Sequence, residues 1–378
     1  MNTWKKRTND SVKDTDMVLN RQAAKNIAPK KGSHSTPLLQ LCILIALLLL
    51  VIVISTSMGY LSIPFLSVLK IILAQVFGNA DLIAGLDERF LAVVVDIRLP
   101  RILAAAIVGA GLAVAGVIFQ GILLNPLADP YTLGVSAGAA FGAAIAILLN
   151  IGFMGGFNVP VFAFAGALVT LFAVIYLSSS GDGGSHTLSS NNLILSGIIV
   201  AAILSAGISF LKYVADENVA VIIFWLMGSF ASMTWTKVLL TFVFICLGSG
   251  VAIFFARDLN LMSQGNRAAA SLGVDTRRVT LILLITASMV AAVCVSISGI
   301  IGFVGLLVPH MMRSFTGPDN RKLIPVAFLA GATLLLGADT VTRAILPVEV
   351  PIGVLTALIG GPFFCYIFRK RQISGGGM

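Results

Sequence analysis

Long apolar runs separated by short polar stretches recur along the whole chain. The runs 38–55 and 279–298, for example, contain no charged residue and approach the ~20 residues that a helix needs to cross a bilayer. Following the runs in order predicts ten transmembrane helices, so we expect an all-α polytopic membrane protein. The eighth run contains Pro309, which would tilt or break it. The predicted spans cover residues 38–58, 100–124, 131–150, 159–178, 192–213, 236–256, 278–298, 300–316, 323–344 and 352–369.

The composition agrees with this pattern. Of the 378 residues, 58% are hydrophobic and only 11% are charged, whereas a soluble chain carries about a quarter charged residues. Residues 1–37 differ, because they hold eight Lys or Arg against three Asp and show no periodicity. They predict a basic, disordered cytoplasmic tail ahead of a membrane domain over residues 38–372. We expect no nucleic-acid partner, although the tail lysines could contact lipid headgroups.

The distribution of basic residues predicts the orientation. An even number of spans places both termini on one side, and the basic end 369–372 and the basic loops 256–278 and 311–322 favour the cytoplasm for that side. The loop over residues 59–97 is then outside, and it is mildly acidic.

Two arginines stand at the outer start of the second span. Arg98 and Arg101 flank Pro100, a residue that suits a first helical turn, and a helix N-terminus disfavours cations. They could reach outer headgroups or pair with Asp96, or they could form a cationic contact for an acidic partner. Arg343 is a further outward arginine, and it follows Asp339 by four residues, so an ion pair within one helix is the alternative for it.

The residues that usually carry chemistry are sparse and scattered. The four cysteines lie in apolar runs without CxxC spacing, three histidines make no zinc motif, and no phosphate-binding GxxxxGK[ST] loop occurs. No Asp or Glu lies at mid-span, which argues against an intramembrane enzyme and against an ion-coupled secondary transporter. We therefore expect no catalytic residue, metal site or cofactor in this chain, and an energy source in another subunit.

Small residues at four-residue spacing predict close helix packing. Gly134, Gly138 and Gly142 share one helical face, and a transport pathway lined by Ser136 is the alternative for this stretch. Farther along, the Ala-rich stretch 260–274 is bounded by Gly265 and Gly273. It predicts short amphipathic turns on the cytoplasmic surface, either a plain interfacial helix or a lever for a motor subunit.

A family resemblance rests on several long motifs in order. The stretch RLPRILAAAIVGAGLAVAGVIFQGILLNPLADPYTLGVSAGAAFG, residues 98–142, resembles the signature of the FecCD family of ABC importer permeases. The similarity covers roughly residues 40–370 and continues through LILSGI, FWLMGSF, NLMSQGNRAAASLGV, GIIGFVGLLVPHMMR and VPIGVLTALIGGPFF.

The resemblance implies the type II permease architecture, with ten helices in each subunit. Two permease subunits, identical or paired, would work with two cytoplasmic ATPases, which bind ATP and Mg, and with an extracytoplasmic substrate-binding protein. The assembly would lie in the plasma (inner) membrane of a prokaryote and act by alternating access. Ferric siderophores are the expected cargo, with cobalamin or haem as alternatives and an ATP-independent transporter as a distant one.

The resemblance also implies roles for particular residues. Arg98, Arg101 and Arg343 match arginines that dock the binding protein, and Ser189 and Ser190 match a cytoplasmic gate. The coupling segment, about residues 257–277, departs from the family pattern because Asn266 and then Arg267 follow its first glycine, where an acidic residue is common. The residues expected to contact the ATPase are Met262, Gly265, Asn266, Arg267, Ala268, Ser271, Leu272 and Gly273.

Overall fold

A computed structural model describes residues 37–59, 61–83, 85–152, 154–179, 189–345 and 348–375. Within these ranges the chain is almost entirely helical and forms no β-strand, which confirms the predicted all-α fold. The predicted tail lies outside the described residues, apart from Pro37. The helices are α1 (Pro37–Ser57), α2 (Phe65–Phe77), α3 (Glu88–Ile122), α4 (Val135–Leu148), α5 (Asn158–Ser179), α6 (Ser190–Val214), α7 (Val219–Leu226), α8 (Trp235–Phe254), α9 (Ala256–Met262), α10 (Asn266–Ser271), α11 (Thr276–Ser298), α12 (Val304–Thr316), α13 (Asn320–Thr340) and α14 (Ile352–Gly375).

Every predicted span coincides with a helix, and the described chain contains seven helices long and apolar enough to cross a membrane. Two of the predicted spans correspond to helices that are not among these seven because they are short: α4 has 14 residues and α12 has 13. At a rise of 1.5 Å per residue, α12 is about 20 Å long, less than the ~30 Å hydrocarbon core. It begins at Val304 instead of residue 300, because the chain before it bends through Gly299 and Phe303, which both have positive φ.

Residues 59–97, expected to form a loop, fold instead into α2 and the first turns of α3. Helix α2 buries Val68, Ile71 and Ala74, whose three-residue spacing puts them on one face. Helix α3 begins at Glu88 instead of residue 100, and the side chain of Asp87 caps it by accepting a hydrogen bond from a backbone N–H. One acidic residue of this segment, Asp87, is therefore a helix cap.

Helix α3 is the centre of the bundle and packs against α8, α11, α12 and α13. Two glycines bring its backbone against neighbouring helices. A Cβ added to Gly109 would lie 2.3 Å from the carbonyl oxygen of Gly331 in α13, and one added to Gly116 would lie 1.8 Å from that of Gly305. These distances leave no room for a side chain, so the glycines permit the close packing.

The small residues of α4 also face other helices. A Cβ on Gly138 or Gly142 would lie about 2.1 Å from atoms of α5, and Gly134, at φ +73°, faces the backbone of α6. Ser136 is half-buried. Helix packing thus accounts for the glycine spacing.

Candidate functional site

Arg98 is buried and bonded to the end of another helix. Its side chain is 6% exposed, and Nη1 donates hydrogen bonds to the carbonyl oxygens of Thr56 at 2.6 Å and Ser57 at 3.3 Å. Nη2 donates to the carbonyl oxygen of Leu61. The pairing with Asp96 considered from the sequence is not formed, since Asp96 is exposed and these donors point to α1.

Arg343 binds carbonyl groups at the same helix end, next to Arg98. It lies in a π-helical segment that continues α13, and Nη1 donates to the carbonyl oxygen of Met58 at 2.7 Å. Nη2 donates to both the carbonyl and the hydroxyl oxygen of Ser55, at 2.8 and 3.0 Å. Its Nε lies 3.8 Å from the Asp339 carboxylate, so the ion pair expected within one helix is present but long.

Arg101 lies between two carboxylates. It donates to the fully buried Asp339 from Nη2 at 2.9 Å and from Nε at 3.2 Å. The same Nη2 donates to Glu349 at 2.7 Å, and the Glu349 side chain is half exposed. A buried guanidinium with two carboxylate partners is well compensated.

The surroundings explain why the membrane protein tolerates arginines here. The last carbonyls of a helix have no partner within the helix, and the C-terminal end of its dipole favours cations. Arg98 and Arg343 satisfy such carbonyls at the end of α1. Moreover, Arg98 is not at a helix N-terminus as expected, because α3 runs on from Glu88 through a π-helical segment, Val93–Arg98, into the turn that holds Pro100.

The three arginines predicted to dock a binding protein line a single cleft of about 520 Å³. We call it the arginine cleft; Gly59, Leu61, Ile97, Ala231 and Glu349 also line it. Three guanidinium groups against the carboxylates of Asp339 and Glu349 leave one net positive charge. The structure therefore brings the predicted residues together, with most of their donors engaged inside the chain.

The coupling segment forms two short helices, α9 and α10, at the opposite end of α13 from the cleft. Helix α10 lies between Gly265 and Gly273, which have φ of +109° and +88°, a conformation that glycine adopts readily. Among the predicted contact residues, Met262 is 1% exposed and packs into the core, so it anchors the segment and presents no surface. The exposed ones are Asn266, Arg267, Ala268, Ser271, Leu272 and Gly273.

A polar bridge ties this segment to α13. Asn260 Nδ2 donates to the carboxylate of Asp319 at 2.7 Å, and Asn260 Oδ1 accepts from the backbone N and from Nδ2 of Asn320, both at 2.9 Å. Partial burial raises the pKa of the Asp319 carboxyl, but the hydrogen bonds from Asn260 and the backbone of Arg321, with the charges of Arg321 and Lys322, bring it below its ordinary value.

Sequence reasoning missed Asn260, Asp319 and Glu349. Asp319 precedes an apolar helix and caps it, so its position carries an N-cap signal. Asn260 and Glu349 carry no local signal, because their partners lie 59 and 248 positions away.

The predicted gate residues lie at the start of α6. Ser189 is its N-cap residue and Ser190 its first residue, and both are half-buried. The rest of the turn that precedes them, residues 180–188, is outside the described residues.

Comparisons with known proteins agree over most of the chain. The sequence profile of the FecCD transport family matches residues 47–370. The cobalamin import system permease protein of Halobacterium salinarum is 43% identical over 294 residues, 78% of each chain. The Fe(3+)-citrate import system permease protein of Bacillus subtilis is 37% identical over 336 residues, 88% of this chain and 95% of that protein. A solved structure described as an inward-facing conformation of a metal-chelate type ABC transporter is 35% identical, with a TM-score of 0.75 over 87% of this chain and 98% of that one.

Proposed function

The chain belongs to the FecCD transport family and is a permease of an ABC importer, and on that basis we propose that it carries ferric siderophore complexes into the cell by alternating access. It works in the plasma (inner) membrane of a prokaryote, with both termini in the cytoplasm. A second permease subunit, identical or paralogous, completes the pathway. Two ATPase subunits bind the ATP and Mg, so this chain needs no catalytic residue.

One observation carries the mechanism: the polar features that could meet partners stand at the two ends of an apolar bundle. The arginine cleft lies at one end of α13, and the exposed helix α10 lies beside its other end. Such an arrangement suits a permease that receives cargo from a binding protein on one face of the membrane and is driven by ATPase subunits on the other face.

The arginine cleft suits a substrate-binding protein with acidic residues at its docking face. Its net positive charge attracts such a partner at long range, which speeds encounter and orients docking. Arg98, Arg101 and Arg343 line one cleft, so an acidic side chain that enters it would be attracted by all three guanidinium groups. The exposed residues of α10 suit a groove on the ATPase, and Ser189 and Ser190 close the pathway on the cytoplasmic side.

Ferric chelates are the cargo we favour over cobalamin. The ferric citrate permease aligns along 95% of its own length, against 78% for the cobalamin permease, and the structural match is to a metal-chelate type transporter. Haem stays an alternative, because a hemin transport permease of Yersinia pestis is 36% identical along 98% of its own length. The 43% identity to a cobalamin permease is the specific observation that keeps cobalamin as a second candidate.

Uptake in cells with and without this gene tests the cargo. The probes are radio-iron-labelled ferric citrate, a radio-iron-labelled ferric hydroxamate, hemin and radio-cobalt-labelled cobalamin. We expect loss of uptake of one of the iron chelates and unchanged cobalamin uptake. Loss of cobalamin uptake alone would overturn the iron proposal and keep the importer. Uptake by the purified chain without an ATPase would instead indicate a secondary transporter.

A further inference from the structure

The side chain of Asn260 connects the coupling segment to the start of α13 by hydrogen bonds. It uses its donor and its acceptor together, since Nδ2 donates to Asp319 and Oδ1 accepts twice from Asn320. Asn320 is only 5% exposed, so this joint is packed and holds α9 in one place against the helix end.

The two halves of the coupling segment differ in how firmly they are held. In α9, Leu259 and Met262 are buried, and Leu259 lies over Gly121 of α3 at a distance of 2.9 Å from an added Cβ. Helix α10 beyond Gly265 is mostly exposed and buries only Ala269. A force applied to α10 therefore reaches the bundle through α9 on one side and through α11, which follows Gly273, on the other.

Helix α13 leads from this joint to the arginine cleft. With its π-helical continuation it runs over Asn320–Ala344, 25 residues, and so is about 37 Å long at 1.5 Å per residue. Its far end carries Asp339 and Arg343, which hold Arg101 and the end of α1. One helix thus joins the surface proposed for the ATPase to the cleft proposed for the binding protein.

We propose that Asn260 is a positioning residue that transmits movement of the coupling segment to α13, and through α13 to the arginine cleft. This inference rests on the proposed function. It assigns the transmission to a defined hydrogen-bonded joint, whose two sides are Asn260 and the pair Asp319–Asn320.

The donors and acceptors of this joint suggest variants that break its hydrogen bonds and one that restores a bond. Asn260→Asp removes the donor and sets a second carboxylate against that of Asp319, where like charges repel. Adding Asp319→Asn to it replaces the repulsion with a hydrogen bond in the opposite sense, since the amide at 319 can donate from Nδ2 to the carboxylate at 260, which still accepts from Asn320. In the unmodified protein Asp319 Oδ1 accepts from both Asn260 and the Arg321 backbone. The amide of the double variant must therefore turn so that Nδ2 donates to residue 260 while its oxygen accepts from Arg321 and caps α13. Asp319→Asn alone retains a side-chain oxygen that can accept the hydrogen bond from Asn260, so it should disturb the joint less than Asn260→Asp.

The control variant is Ser263→Ala. The Ser263 hydroxyl donates to the Asn260 carbonyl oxygen at 2.6 Å, so the change removes a bond within the same segment and leaves α13 untouched. Asn260→Ala is a second disruptive variant without a new charge. Assembly with the ATPase, measured by size-exclusion chromatography, identifies any variant that merely fails to fold.

The experiment uses the full complex of permease and ATPase in lipid nanodiscs. The affinity of the cognate binding protein for the complex is measured with and without a non-hydrolysable ATP analogue. We expect the analogue to change the affinity by about tenfold in the unmodified complex, within the usual range of coupling between sites. Asn260→Asp and Asn260→Ala should reduce that change to less than about twofold, and the double variant should restore it.

Each outcome has one meaning. A nucleotide response that survives in Asn260→Asp, or one that is lost equally in Ser263→Ala, overturns the role of Asn260 and leaves the importer proposal intact. An unmodified complex whose docking ignores the nucleotide also overturns it. A permease that binds neither ATPase nor binding protein would instead refute the proposed function itself.

Discussion

Arg98 Nη1 in α3 donates a 2.6 Å hydrogen bond to the carbonyl oxygen of Thr56 at the end of α1. Helix α1 otherwise packs little against the bundle, since only 6% of its apolar stretch is buried. Arg98 and Arg343 therefore act as side-chain caps that fix a peripheral helix. This dual use means that substitutions at either arginine affect the fold as well as any docking.

Arg98→Ala should destabilise the protein. It leaves the carbonyls of Thr56, Ser57 and Leu61 without this donor, and a buried acceptor without a partner costs about 1–3 kcal/mol. We expect a lower thermal unfolding midpoint in detergent, followed by fluorescence-detected size-exclusion chromatography. Arg89→Ala, an exposed arginine on the same helix, is the control and should leave the midpoint unchanged. Equal midpoints for the two variants would contradict the capping role.

Asp339→Ala should be more damaging than Asp339→Asn. The alanine leaves the Arg101 guanidinium buried with only Glu349 as a carboxylate partner, and breaking a buried ion pair costs about 3–5 kcal/mol. The asparagine keeps an oxygen within reach of Arg101 and preserves the packing. The same unfolding assay checks the order, with Glu217→Ala as an exposed carboxylate control. An Asp339→Ala protein as stable as the control would show that the pair contributes little.

Glu349→Gln should strengthen docking of the binding protein. Glu349 is half exposed and occupies Arg101 Nη2 at 2.7 Å, so it competes with any acidic side chain that approaches the cleft. Removing its charge raises the net charge of the cleft from one positive charge to two. We expect a several-fold higher affinity at low salt and a smaller gain at high salt, because ions screen exposed charges. Surface plasmon resonance on the nanodisc complex measures this. Glu217→Gln is the matched control, and weaker binding by Glu349→Gln would refute the competition.

The sequence predicted the helices well where apolar length alone decides them. It failed over residues 59–97, because the 13-residue run of α2 is too short to count as a membrane span and a search for spans does not look for the N-cap signal of Asp87. It also failed at the start of α3, where a π-helical segment carries the helix into Pro100. The glycines at 265 and 273 correctly bounded α10, since a required positive φ is a local property of the chain.

The candidate sites were predictable only as single residues. Their outward position in the predicted topology singled out Arg98, Arg101 and Arg343, and motif resemblance gave them a docking role, but their partners come from packing between distant helices. Asp339 and Glu349 lie 238 and 248 positions from Arg101, and no periodicity in the sequence pairs them. Asn260 is an ordinary polar residue until α9 is folded against the start of α13.

Gly116→Ala should disrupt the bundle, whereas Gly250→Ala should not. A Cβ at Gly116 would lie 1.8 Å from the carbonyl oxygen of Gly305 and 2.6 Å from its carbonyl carbon. These are backbone atoms, so α3 and α12 must separate as whole helices, and overpacking of this kind costs about 1–3 kcal/mol or more.

Gly250 lies in the interior of α8 with nothing within 4 Å of an added Cβ. Alanine there removes only the conformational cost of glycine in a helix, which is about 0.5–1 kcal/mol. We therefore expect Gly250→Ala to keep or raise the unfolding midpoint and Gly116→Ala to lower it by several degrees. Both changes add the same methyl group to a helix interior, so they change helix propensity alike. The difference between the two variants therefore measures the effect of the contact between residue 116 and Gly305. Equal unfolding temperatures for the two variants would contradict the conclusion that close backbone contact between α3 and α12 excludes a side chain at position 116.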